Sequence, residues 1–434
     1  FDASNLLMTH LDRLRRFFRS PRLHELFSFQ DLYIGLAPHT APAIFSLLQH
    51  LEIVEGVWYP VGGFQRLIQA LNGLVRRAGV EVRTAAPVTR IMLDESSRRA
   101  TGVCLASGET IECDLVISNV DLPMSYAALL PTDRPPLRGR VARLAALDYS
   151  SGVVAFYWCL SRKVPELEHH TTFLSPGGQG SWDLIYSATA QVPDDPSFYV
   201  CCPGKTDPSA APAGKESMMV LVPCGCMPQD GEGAGGDFDE VRDSARRAVL
   251  RRLRQVGVDI EALIEHEVVY TPTEWRAVGA CMKHDFVLCG LQPGCSVRCS
   301  LPVARGSVRV RAHADTCELR APERGAGGCV RVLRACAHRV RKTRKHTLSH
   351  TPLTRTQRYG LFKGAAFGLA HPMSQLVMFR PPNRDASLAN VYFVGASTTP
   401  GNGVPLVLTG ARMCAQTTVP GAGYSTPEVY VHSK

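Results

Sequence analysis

Small residues crowd one stretch of this chain, Asn390–Gly410, with the sequence NVYFVGASTTPGNGVPLVLTG. Val391, Tyr392, Phe393 and Val394 read as a buried strand, followed by a glycine turn and the start of an apolar helix. Such a turn lets backbone approach a ligand closely, and free N–H groups at a helix start attract an anion or a planar cofactor. An ordinary strand–turn–helix satisfies the same pattern. A second glycine pair, Gly62–Gly63, stands just before a run in which Phe64, Leu67, Ile68, Leu71, Leu74 and Val75 recur at helical spacing. Gly79 closes that helix. Val80 and Val82 begin a strand, and Val88 and Ile91 continue the extended pattern.

These groups need elements to hold them. Residues 1–55 read as apolar-faced helices, either packed on a core or presenting Arg16, Phe17, Phe18 and Arg19 to lipid headgroups. Thr101–Leu105 and Glu109–Glu112 read as strands about the Ser107-Gly108 turn, and Asp114–Ser118 as a buried strand leading to Asn119. Segments 151–161 and 217–225 are apolar strand candidates rich in Val and aromatics. Asp239–Val256 is a charged helix with one apolar face, and Ile264–Tyr270 a further strand. A wide sheet backed by helices suits a long apolar ligand, because a sheet face can floor a tunnel.

The net charge of +9 belongs to one block. Residues 278–357 hold 15 Lys and Arg against 4 Asp and Glu, whereas the remainder has a net charge of −2. That charge would suit a nucleic-acid arm, but the block has almost no aromatic residues for base stacking, which disfavours that reading. It also carries 7 of the 15 cysteines, including Cys295, Cys299 and Cys336 beside His338, at spacings that match no standard zinc module. The Val278 codon must begin GT and the Gln357 codon can end AG, the boundary dinucleotides of an intron. The block is accordingly read as a retained intron, translated in frame and disordered. Sequencing the spliced transcript tests that reading, which a mature message retaining all 240 nucleotides would overturn. Elsewhere the scattered cysteines suit a reducing compartment. No apolar run of about 18 residues is present to cross a membrane as one helix.

Asn390, Gly395, Ala396, Ser397, Thr398, Pro400, Gly401, Gly403 and Val404 together resemble the C-terminal signature of bacterial- and fungal-type phytoene desaturases, in the flavin amine-oxidase-like superfamily. Thr399 stands where many members carry His. The layout from Gly62–Gly63 to Val88 is similar to another segment of that superfamily, and WYPVGG and KGAAFGLAH extend the likeness over residues 1–277 and 358 to about 417. The resemblance implies a mixed α/β (α+β) fold: an FAD-binding Rossmann-like domain joined to a substrate domain built on a large β-sheet plus helices. On that basis 1–55 is a helical lid region, 56–130 an FAD-domain segment, 131–277 the substrate domain, 358–385 its return and 386–434 the C-terminal FAD-binding segment.

The resemblance implies FAD contacts from Gly62, Gly63, Val88, Asn119, Gly395, Ala396, Ser397, Pro400, Gly401, Gly403 and Val404. It implies desaturation of phytoene, a C40 polyene, by hydride transfer to the flavin with loss of a proton. Lys363, His371 and Gln375 lie in family-like segments as candidate proton acceptors, each with a structural alternative, and Arg380 reads as a loop anchor. No metal and no nucleic acid are expected. A membrane surface, on the cytoplasmic or plastid side, and a homo-oligomer are the expected associations. The family's G-x-G-x-x-G pyrophosphate turn is not found near residue 1, so the expectation is a chain that begins beyond the first dinucleotide-binding unit. A related polyene isomerase or saturase, and a lipid- or partner-binding fragment without flavin, remain the alternatives.

Overall fold

The computed structural model describes residues 8–133, 135–187, 189–227, 237–278, 297–298 and 360–418. Apart from Val278, which ends a helix, and Val297–Arg298, which pair antiparallel with Glu81–Val82, the basic block lies outside these residues. In chain order the main helices are α1 (His10–Phe17), α2 (Pro21–Ser28), α3 (Phe64–Arg77), α4 (Arg140–Ala145), α5 (Gly178–Ile185), α6 (Phe238–Gln255), α7 (Pro272–Val278) and α8 (Val404–Thr418). The main strands are β1 (Val88–Leu93), β2 (Ala100–Leu105), β3 (Thr110–Glu112), β4 (Val116–Ser118), β5 (Gly152–Leu160), β6 (His170–Phe173), β7 (Phe198–Cys201), β8 (Glu216–Cys224), β9 (Ile264–Tyr270) and β10 (Val391–Phe393).

The large sheet is antiparallel throughout, in the order β9-β5-β8-β7-β6. Its central strands β5 and β8 are covered on both faces, which explains their continuous apolar runs. On one face Val154, Phe156, Trp158, Met218, Val220 and Val222 meet Val241, Ala245, Val249 and Leu253 of α6. These α6 positions recur at helical spacing, and Asp237 caps the helix by accepting from Asp239 N. On the other face Val153, Ala155, Met219 and Leu221 pack beneath an aromatic layer that includes Phe29, Tyr33, Trp182, Trp275 and Phe367.

A second core joins the three-stranded β1-β2-β3 sheet to a parallel pair, β4 with β10. Asn390 stitches the two sheets together: its Oδ1 accepts from Ala100 N at 2.7 Å, and its Nδ2 donates to Ala100 O at 2.8 Å and Asp114 O at 2.6 Å. Leu137 and Leu144 pack in this core rather than against the large sheet. Among the described residues no helix is long and apolar enough to cross a membrane.

Candidate functional site

Parallel strands β4 and β10 end side by side, and in parallel α/β sheets ligands bind in the crevice outside the carboxyl ends of the strands. Asn119 follows β4, and Val394 and Gly395 follow β10, with Val394 N donating to Ser118 O at 3.0 Å. Gly395 has φ +123°, and a Cβ there would stand 3.2 Å from Asn119 Oδ1. Gly401 and Gly403 follow at φ +139° and +100°. Beyond Gly403 lies open space, and α8 begins at the next residue. Pro400 packs against α8, since a Cβ on Gly410 would meet its Cδ at 3.2 Å.

Internal hydrogen bonds hold this loop. Arg380, only 2% exposed, donates to Thr398 O (3.1 Å), Ala370 O (3.0 Å), Leu369 O (3.0 Å), Ala396 O (2.5 Å) and Gln375 O (3.5 Å). It thus clamps the glycine loop to segment 369–375, the anchoring role expected of it. Burial pushes its pKa down to about 10, against the opposing pull of Asp121. Asp121 accepts from Ser397 Oγ at 2.6 Å and from Phe362 N at 3.1 Å, and burial raises its pKa. Asn383 Nδ2 donates to Phe393 O and Thr399 O.

Ser397 therefore spends its hydroxyl on the protein, and Ala396 its carbonyl. Gln375 is committed as well: its Oε1 accepts from Asp148 N, and its Nε2 donates to Asp148 O and Ala370 O. Lys363 has φ +56°, donates to Ala145 O at 3.2 Å and stands 4.9 Å over the Tyr149 ring.

His371 differs from these. It is buried, its Nδ1–H donates to Ile34 O at 3.0 Å, and its Nε2 has no partner. That atom faces Gly401, where a Cβ would come within 2.5 Å of it. Burial, then the nearby Arg380 charge, pushes the His371 pKa down to about 3. Between pH 6.5 and 3 the unfolded chain takes up this proton and the folded chain does not, so stability falls on acidification through that window. We expect the wild type to lose more stability than His371→Phe as pH drops from 7 to 5, measured by urea unfolding. Equal losses would contradict a neutral, buried imidazole. Asp31, raised to about 6 by burial beside His10, titrates the opposite way in both proteins and cancels in the comparison.

The other predicted residues are held by different elements. Gly62 and Gly63, at φ +81° and +78°, form the turn before α3. Gly62 N donates to Asp207 Oδ2 at 2.6 Å, and Tyr59 meets His169 edge-on at 5.1 Å, so this turn is anchored on the loops of the large sheet. Val88 opens β1 opposite Leu105 and packs on the core shared with Val116 and Val391. The crevice thus unites Asn119, Gly395, Ala396, Ser397, Pro400, Gly401, Gly403 and Val404 with His371, whereas these contacts of Gly62, Gly63 and Val88 run elsewhere. Sequence reasoning missed Asp121, Asn383 and Asp207. Asp121 left a faint signal, an acidic residue just past a buried strand.

Three positive-φ glycines and a helix start follow the ends of β4 and β10, and the buried Nε2 of His371 lies against Gly401. A planar, anionic cofactor such as a flavin nucleotide fits this set: Gly403, with open space where a Cβ would stand, permits close backbone approach, and the α8 start favours negative charge. The family model described as flavin containing amine oxidoreductase matches residues 8–288. A phytoene desaturase of Fusarium fujikuroi is 31% identical, covering 96% of this chain and 61% of its own length. One from Neurospora crassa is 32% identical, covering 93% of this chain and 55% of its own. A zeta-carotene-forming phytoene desaturase of Myxococcus xanthus is 31% identical, covering 92% and 60%. The chain therefore spans less than two thirds of the length of these curated relatives. An oxidoreductase structure from Methanosarcina mazei superposes with a TM-score of 0.50 at 14% identity, over 94% of this chain and 68% of that one, and shares the fold. The chain belongs to the flavin containing amine oxidoreductase family.

Proposed function

We propose that this chain serves FAD-dependent desaturation of a long apolar polyene, phytoene or a partly desaturated carotene. The observation that carries the reading is a continuous link between the glycine loop and the aromatic face of the large sheet. Asn402 Nδ2 donates to Tyr33 O at 2.5 Å, and the Tyr33 ring meets Phe367 edge-on at 6.1 Å. Two residues on, Leu369 N donates to Ser397 Oγ at 3.3 Å. Tyr157, Tyr199 and Tyr270 line the same face. Burial raises the pKa of Tyr33, Tyr157 and Tyr199 above the ordinary phenol value, so these groups stay uncharged beside a hydrocarbon. The names of the curated relatives, desaturases of phytoene and zeta-carotene, support the same reading.

Desaturation removes a hydride from one carbon and a proton from its neighbour as the C=C bond forms. A bound flavin supplies the hydride acceptor. The protein's part is to orient the chain and exclude water, for the substrate has no polar handle. Among the three candidate proton acceptors His371 alone keeps an unpartnered lone pair. A weak base suffices there, because a carbon beside a developing cation is strongly acidic. The test is incubation with FAD and phytoene in liposomes. New longer-wavelength polyene absorption supports the assignment, and unchanged phytoene with flavin bound rejects it.

A membrane is the natural source of such a substrate. Leu51, Ile53, Val54, Val57, Trp58 and Val61 form an exposed apolar run before α3, with Trp58 87% and Val61 89% exposed. Inserting that run into lipid would bring the double-glycine turn to the bilayer surface. We expect a Trp58→Glu/Val61→Glu variant to lose flotation with phosphatidylcholine vesicles at least about tenfold, since each charge at the interface opposes insertion. Undiminished flotation would place the contact elsewhere.

A further inference from the structure

The loops of the large sheet carry a cluster with no part in the flavin crevice. His169 lies just before β6, His170 is its first residue, and Cys201 ends β7 directly opposite His170 in the register. One ligand atom from each of these three residues lies within 4.8 Å of the others. The His169 and His170 rings stack at 4.1 Å. His169 is buried, with Nδ1 bonded to Thr206 Oγ1 at 2.6 Å, while its Nε2 has no partner. His170 bonds through Nδ1 to Tyr199 OH at 2.5 Å, and Tyr199 also bonds Cys201. Cys201 is a buried free thiol. Each imidazole is thus oriented through one nitrogen by a hydroxyl, as metal-ligating histidines are oriented by a hydrogen bond on the nitrogen that does not bind metal.

We propose that His169, His170 and Cys201 form a binding site for zinc, or a cation of similar softness, with an open fourth position. Two imidazoles and a thiolate suit a borderline-soft d¹⁰ ion. Donors about 2.0–2.3 Å from such an ion stand roughly 3.5 Å apart, so closure needs a movement of about 1 Å. His170, the one exposed member of the three, is the residue placed to supply it. Binding displaces one proton, the thiol's, to solvent as the S–metal bond forms, and no electrons transfer. The site has a structural consequence. Tyr59 packs on His169, and Gly62 N is bonded to Asp207 in the adjoining loop. An ion on His169 would fix the surface on which the double-glycine turn rests.

The test uses the full chain and zinc alone, titrated against a chromophoric chelator. The basic block contributes seven further cysteines, so the readout is the difference between variants. His169→Gln and Cys201→Ser should each remove one equivalent of bound zinc, while Cys159→Ser, at an exposed cysteine, should remove none. Tyr199→Phe should weaken that equivalent about tenfold, the usual cost of losing an outer-sphere partner. Cobalt substitution gives a second measurement on the wild type: a thiolate-to-cobalt charge-transfer band that iodoacetamide blocks and Cys201→Ser diminishes. Equal zinc stoichiometry in wild type and Cys201→Ser, with an unchanged cobalt band, would overturn the proposal, even if flavin binds normally.

Discussion

Arg380→Met is expected to destabilise the fold by at least about 3 kcal/mol, at or beyond the upper end of what a point substitution ordinarily costs. The guanidinium is buried and serves five carbonyl oxygens on two segments. After truncation Ala370 O still receives Gln375 Nε2, but Leu369 O, Thr398 O and Ala396 O lose the donor that Arg380 supplied. Each buried acceptor left unsatisfied costs about 1–3 kcal/mol. Methionine fills much of the volume, so the cost is polar rather than a cavity. Arg380→Lys should fall between the two, because an ammonium offers three donors from one point and cannot fork across both segments. Urea unfolding measures the loss. A shift below about 1 kcal/mol would mean that water replaces the guanidinium at these carbonyls and that the clamp is dispensable.

Gly401→Ala should act in the opposite way, leaving the fold standing and closing the site. At φ +139° an alanine is strained, and its Cβ would stand 2.5 Å from His371 Nε2. The imidazole cannot swing aside freely because Nδ1 is tied to Ile34 O. The glycine loop must move, at a cost of about 1–3 kcal/mol for overpacking. Flavin affinity should fall at least about tenfold, each factor of ten corresponding to about 1.4 kcal/mol. Adding His371→Ala removes the clash and should restore part of the affinity, which a double-mutant cycle quantifies. Additive losses in the cycle would show that the backbone strain alone matters and that His371 does not face the loop in solution.

Strong periodicity made several elements legible. The α3 span was readable from its six apolar residues and its closing glycine, and β5, β8 and β9 from runs rich in β-branched and aromatic residues. The crevice was readable only in part. Gly395, Gly401 and Gly403 stand out because positive φ and close approach demand glycine. Arg380 could be suspected as an anchor, but not the five carbonyls it reaches, because those bonds form only once residues 369–375 and 396–398 converge. The same holds for Asp121, whose partner Ser397 lies 276 positions away. Periodicity marks which face of a helix is apolar, but not what covers it. No residue of α3 is buried among the described residues, and Ile68, Leu71 and Leu74 stand exposed.

The central claim is that the crevice at the ends of β4 and β10 receives a flavin. Its most direct test is titration of the purified chain with FAD, followed by quenching of flavin fluorescence, for the wild type and Gly401→Ala side by side. Saturable quenching in the wild type that weakens at least about tenfold in Gly401→Ala, with both proteins equally folded, is the predicted result. Equal binding by the two, or none by a folded wild type, would contradict it.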